Sequence, residues 1–293
     1  MSGMHRSAYR LTIVIVILAL VASIGGLLIK GLYHDNLFVN TAWRGTDLVT
    51  LIIALPLLIV SLIFSMRGSQ RAQLVWLGMV DYMLYNYAFY LFGSAFNAFF
   101  LVYVAIFTLS IFTLIFGLLS IDVEAIGWKF KNGVPAKWIS GYMFLLAFGL
   151  LSVYTTQIYQ FISADIVPSI IIMTGHPTSI VFALDLSLLV PPLILGGIWL
   201  WKRLDWGFIL AGILLSKGAV YPLSLALGAH FAADAGIPGV SSQIGFWIAL
   251  SVSAMIACLF LLGNMSSNKK KQSASMGNNS VPSVPVSKDI LNK

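Results

Sequence analysis

Apolar residues in this chain fall into eight long runs separated by short polar breaks. The runs cover residues 11–29, 48–66, 72–92, 98–120, 138–162, 179–201, 206–228 and 243–263. Each is about as long as the ~20-residue helix that crosses a bilayer core. Within a run the apolar residues are continuous, whereas barrel strands would alternate over about ten residues. The pattern therefore predicts an all-α polytopic bundle of about eight transmembrane helices over residues 1–263. Residues 264–293 are rich in Ser, Asn and Lys and read as a disordered basic tail. Residues 163–178 hold a shorter, partly apolar connection without Lys or Arg, suited to lying along the interface.

Composition supports this reading. Of 293 residues, 59% are hydrophobic and 9% charged. A water-exposed domain carries roughly 25% charged residues, so the solvent of most of this surface is lipid, and no sizeable soluble domain fits. Formal net charge is +7, which on a soluble chain would suggest nucleic acid. Here the basic residues lie in the breaks and the tail, so no nucleic-acid partner is expected. With the N-terminus placed in the cytoplasm, Arg6, Arg10, Arg67, Arg71, Lys129, Lys131, Lys137, Lys202, Arg203 and the five tail lysines fall inside. Only Lys30 and Arg44 fall outside, and Lys217 lies within a run. The positive-inside rule then places both termini in the cytoplasm. The first run is longer than the 7–15 residues of a secretory signal core and lacks a clear small-residue cleavage site, so it is expected to remain as a helix.

Three ionisable residues fall at membrane depth: Asp81, Asp185 and Lys217. Such residues cost a few kcal/mol each and mark ion, proton or solute paths by default. The runs holding Asp185 and Lys217 are joined by a very short turn. Their depths differ by roughly 5 Å, counting 1.5 Å per residue, so an Asp185–Lys217 pair is expected and Asp81 is left alone. An unpaired carboxylate there can carry a proton. Asp81 and Tyr85, and separately Tyr82, Asn86 and Tyr90, share i,i+4 spacing. These form a polar stripe that either lines a cavity or makes interhelical hydrogen bonds, ending in an aromatic belt. Tyr154, Thr155, Thr156, Gln157 and Gln160 pose the same alternative.

A shift of 136 residues, the distance from Pro56 to Pro192, also matches Arg67 to Arg203, Asp81 to Lys217 and Tyr85 to Tyr221. This predicts a 4+4 parallel duplication, with an alternative pairing in which Asp81 meets Lys217. The candidate polar centre is therefore Asp81, Asp185, Lys217, Tyr85, Tyr221 and Asn86.

Other chemistry is weakly signalled. Cys258 is the single cysteine and reads as a small apolar helix residue. His34, His176, His230, Asp35, Asp47, Asp165 and Asp234 are expected outside the membrane, without a diagnostic metal spacing. No metal or cofactor is expected: no histidine falls at membrane depth to hold haem, and HExxH, Walker A and GxSxG motifs are missing. Without a catalytic motif, an enzyme ranks below two other readings. The first is small-solute or proton transport through the polar centre. The second is a membrane sensor or assembly subunit whose charges only fix packing. The expected partners are the lipid bilayer and a small solute or proton.

Residues 85–93 (Tyr-Asn-Tyr-Ala-Phe-Tyr-Leu-Phe-Gly) and 175–185 (Gly-His-Pro-Thr-Ser-Ile-Val-Phe-Ala-Leu-Asp) resemble stretches of bacterial multi-pass membrane proteins that have no assigned function. The resemblance implies a bacterial plasma membrane and brings no activity or partner.

Overall fold

The computed structural model describes residues 3–130 and 133–266, and the structure is all-α over them. Lys131 and nearly all of the basic tail lie outside the described residues. Of the twelve α-helical segments among these residues, ten build eight long rods. These are α1 (Gly3–Leu28), α2 with α3 (Leu37–Val49 and Leu55–Met66), α4 (Gln70–Gly93) and α5 (Phe100–Leu119), followed by α7 (Ala136–Ala164), α9 with α10 (Ile180–Leu184 and Val190–Trp201), α11 (Asp205–Asp234) and α12 (Ile244–Gly263). Two short helices, α6 (Val123–Phe130) and α8 (Ser169–Thr174), lie in the connections. The sequence pattern read α6 as loop.

Among the described residues, seven rods are long and apolar enough to cross a membrane. The protein is a multi-pass membrane protein. The eighth rod, α4, has 24 residues but carries the polar stripe, which dilutes its apolar content. Those polar side chains are turned inward: Tyr82, Tyr85, Asn86, Tyr87 and Tyr90 are all buried. The lipid-facing aromatic belt expected there is therefore not formed by α4. Exposed tryptophans cluster instead at the other end, at Trp128, Trp138, Trp201 and Trp206, beside the basic turns.

The connections gather at two ends. At the basic end, Arg71 donates to the Met265 carbonyl and Arg203 to the Val134 carbonyl (3.1 Å). At the far end, Asn36 donates to the carbonyls of Met173 and Thr174 (2.9 and 3.0 Å), and Asp35 accepts from the Ala95 amide (2.8 Å).

Both two-part rods are interrupted by a π-helical turn, at Thr50–Ala54 and at Asp185–Leu189. The cause is proline. Pro56, and Pro191 with Pro192, lack an N–H and clash with the carbonyl four residues earlier, and a π turn absorbs both defects. The two π turns, and the tight turns after Met66 and after Trp201, recur within one residue of the 136-residue shift. The elements α2–α3 and α4 thus match α9–α10 and α11 at the expected shift. The second run begins earlier than its apolar pattern suggests, at Leu37, with Asn36 accepting from the Val39 amide as N-cap. Asp47, expected outside the membrane, is therefore inside a continuous helix and only 2% exposed.

The core is α11 packed between α2, α4, α10 and α12. Its most apolar stretch is 67% buried, against 22% for α12, which fixes it as the central rod. Small residues permit the close approach. A Cβ on Gly45 of α2 would lie 2.3 Å from the Gly228 nitrogen of α11, and one on Gly78 of α4 would lie 2.5 Å from Ser216 Cβ. Because the obstacle at Gly45 is backbone, Gly45→Ala is expected to lower stability by about 1–3 kcal/mol. Thermal unfolding in detergent measures this. Gly141→Ala, with open space around the added methyl group, serves as the control that leaves stability unchanged or raises it.

Candidate functional site

The rod α4 carries two polar faces. Successive residues on a helix lie about 100° apart, so Asp81 and Tyr85 point one way and Tyr82, Asn86 and Tyr90 another. The structure sends these two faces to different partners.

On the first face, Asp81 meets Lys217 of α11, with Oδ2 2.9 Å from Nζ. Lys217 is 3% exposed and Asp81 17%. The expected Asp185–Lys217 pair is not formed; the pairing of the shift-equivalent residues is. The reason is the close crossing at Gly78 and Ser216, which sets Asp81 one turn from the contact and within reach of the lysine. The ammonium also lies over the Tyr85 ring, 4.5 Å from its centroid.

Asp185 opens the second π turn and is 6% exposed. Its two oxygens accept separate tyrosine hydroxyls, Oδ1 from Tyr85 and Oδ2 from Tyr154 of α7. Tyr154 was grouped by sequence with Thr155, Thr156, Gln157 and Gln160, but it alone of these is buried. Thr155 and Thr156 are exposed and bond back to carbonyls of their own helix. Tyr85 thus joins the site together: its ring faces Lys217, its hydroxyl donates to Asp185, and Tyr221 meets it edge-on at 5.0 Å between centroids. Phe89 and Phe182 close the apolar walls, stacked on Tyr221 and tilted onto Tyr154.

On the second face, the Tyr82 hydroxyl lies 2.8 Å from Thr50 Oγ1 and 3.2 Å from Ser224 Oγ. Asn86 donates to Thr50 at the long distance of 3.5 Å. Asn86 therefore belongs to a separate hydroxyl cluster between α2, α4 and α11. The predicted centre divides into Asp81, Lys217, Tyr85, Tyr221 and Asp185, with Asn86 apart. Tyr154 was the missing member. Its signal was a tyrosine near the depth of Asp185 on a helix contacting that rod.

Among the described residues, no group of three or more His, Cys, Asp or Glu side chains is placed to hold a metal ion. His230 and Asp234 form an exposed pair at 3.5 Å. Compared with known proteins, the chain matches no family model, no curated protein and no solved structure.

If the ion pair holds α4 against α11, removing one charge leaves the other buried alone. Asp81→Asn and Lys217→Met should each cost about 3–5 kcal/mol, and the double variant should recover most of the loss. Combining Asp185→Asn with Lys217→Met should show no such recovery. A thermal-unfolding cycle in detergent checks both statements.

Proposed function

We propose that this membrane protein moves protons, alone or with a small solute, along the seam between α4 and α11. The observation that carries this reading is the charge count at the seam. Two carboxylates at the seam, the buried Asp185 and the partly exposed Asp81, share one lysine, with Tyr85 between them. With all three ionised, the group holds a net charge of −1 in a medium where an uncompensated charge costs several kcal/mol. One proton makes it neutral. A proton on Asp81 releases Lys217 toward Asp185, and its departure draws the lysine back.

The repeated element order supports the same reading. Parallel repeats that rock about a shared central site are a common transporter design. The ion pair joins equivalent residues of the two halves, so its opening and closing is a natural latch for such a motion. Cytoplasmic termini, supported by the Lys and Arg alternation, and a bacterial plasma membrane, supported by the resemblance of residues 85–93 and 175–185, belong to this proposal.

One observation favours the second reading, a sensor or assembly subunit with structural charges. Gly78 and Ser216 pack the seam closely, and a static ion pair would suffice to hold that register.

Proton flux into vesicles containing the purified protein, followed with an entrapped pH-sensitive dye, separates the two. Under the transport reading, Asp81→Asn with Lys217→Met, whose mutual loss keeps the fold, brings flux down to that of protein-free vesicles. Asp185→Asn does the same at wild-type abundance. Wild-type vesicles no leakier than protein-free ones under any imposed pH gradient or potential would defeat the transport reading and leave the structural one.

A further inference from the structure

A second buried carboxylate lies outside the seam. Asp47 of α2 is 2% exposed, and both of its oxygens are occupied. Oδ2 accepts the Tyr33 hydroxyl at 2.6 Å and Oδ1 the Tyr90 hydroxyl at 2.8 Å. Room for this arrangement comes from Gly26 of α1. A Cβ there would stand 2.0 Å from Oδ2 and 2.3 Å from the Tyr33 oxygen. Trp43 stacks on Tyr90 at 4.5 Å, and Tyr90 is followed by Tyr87 and Tyr103 at 5.3 and 5.1 Å.

Among the described residues, no cation pairs with Asp47. Among the described residues, the titratable groups that interact with Asp47 are tyrosines: Tyr33 from the α1–α2 loop, Tyr82, Tyr87 and Tyr90 from α4, and Tyr103 from α5, the last of which also feels the carboxylate of Asp35. The nearest basic residue on its own helix, Arg44, lies over Phe231 instead, and Lys30 is exposed. Burial and the adjacent carboxylate push the Tyr33 hydroxyl well above its ordinary value, so it remains a donor. A carboxylate enclosed in this way loses its hydration without gaining a counter-charge, and in such surroundings ionisable groups neutralise.

We propose that Asp47 is a proton-binding site at the far end of the bundle, reached through Tyr33, and that it holds its proton at neutral pH. The ligand is a proton because the pocket is filled: the two hydroxyls and the Gly26 backbone leave no space for a larger cation. One turn deeper on the same helix, Thr50 leads to Tyr82 and to Ser224 of α11, so the site lies at the head of a line of hydroxyls running toward the seam. The site is inferred from its own geometry and does not depend on flux through the seam.

Infrared spectroscopy of the full chain in bilayers tests it, because a protonated carboxylic acid has a C=O stretch distinct from carboxylate bands. At pH 7 the wild type should show an acid band that Asp47→Asn removes and Asp185→Asn leaves in place. Asp47→Asn should also unfold at the wild-type temperature, since the amide resembles the neutral acid. An unchanged band in Asp47→Asn would overturn the proposal. If that variant does not fold, Tyr33→Phe decides: loss of one hydrogen bond to the carboxyl should shift the acid band, and an unshifted band would overturn the proposal.

Discussion

A lysine ammonium cannot sit 3% exposed inside a lipid-surrounded bundle unless an anion reaches it, and the contact between Lys217 and Asp81 is what lets α11 be central. The pair adds a fixed point of register between α4 and α11 that apolar side chains alone supply weakly, since they gain little from each other over lipid. The small residues at Gly78, Ser216, Gly45 and Gly228 then serve the same end. They bring backbones close enough for a short aspartate side chain to span the gap. Polar pairing and small-residue packing are here two parts of one solution.

The polar stripe of α4 shows why a membrane helix can fall short on apolarity and still belong inside the bundle. Its tyrosines carry hydroxyls that each need a partner once buried. Tyr85 finds Asp185, Tyr90 finds Asp47, and Tyr82 finds Thr50 and Ser224. In return, two carboxylates without a cation of their own receive donors on both oxygens. The tyrosines thus orient the carboxyl groups and their donated hydrogen bonds favour the charged form, while burial without a counter-charge works the other way and favours proton binding.

Much of this was legible from residue pattern alone. Apolar runs placed the rods, and the Lys and Arg alternation sorted their ends. The repeat of Pro56, Arg67, Asp81 and Tyr85 at Pro192, Arg203, Lys217 and Tyr221 anticipated the ion pair that forms. Depth counting on ideal helices chose Asp185 for Lys217 instead, because it fixes height and not facing, and Asp185 opens a π turn that no hydropathy pattern reveals. Asp47 was misplaced for a related reason. The polar residues Asn40, Thr41, Arg44 and Thr46 around it look like a loop, although a capped helix carries them into the bundle. Tyr154 stayed hidden among exposed threonines and glutamines, since burial of one residue in a polar run depends on which neighbour packs against it.

The two uncompensated carboxylates sit in corresponding rods, each near the π turn that its prolines impose, yet their surroundings differ. Asp185 is one tyrosine away from a lysine, while Asp47 faces tyrosines alone. A proton therefore competes with Lys217 for Asp185 but has no rival at Asp47. Along a path between them, the far-end site would hold a proton steadily and the seam would release it whenever the lysine turns. If protons move along this path, positions that correspond under the 136-residue shift but carry unequal charges would supply such a gradient of proton hold without any further group, and the asymmetry of Asp81 and Lys217 would then matter more than the correspondence that places them together.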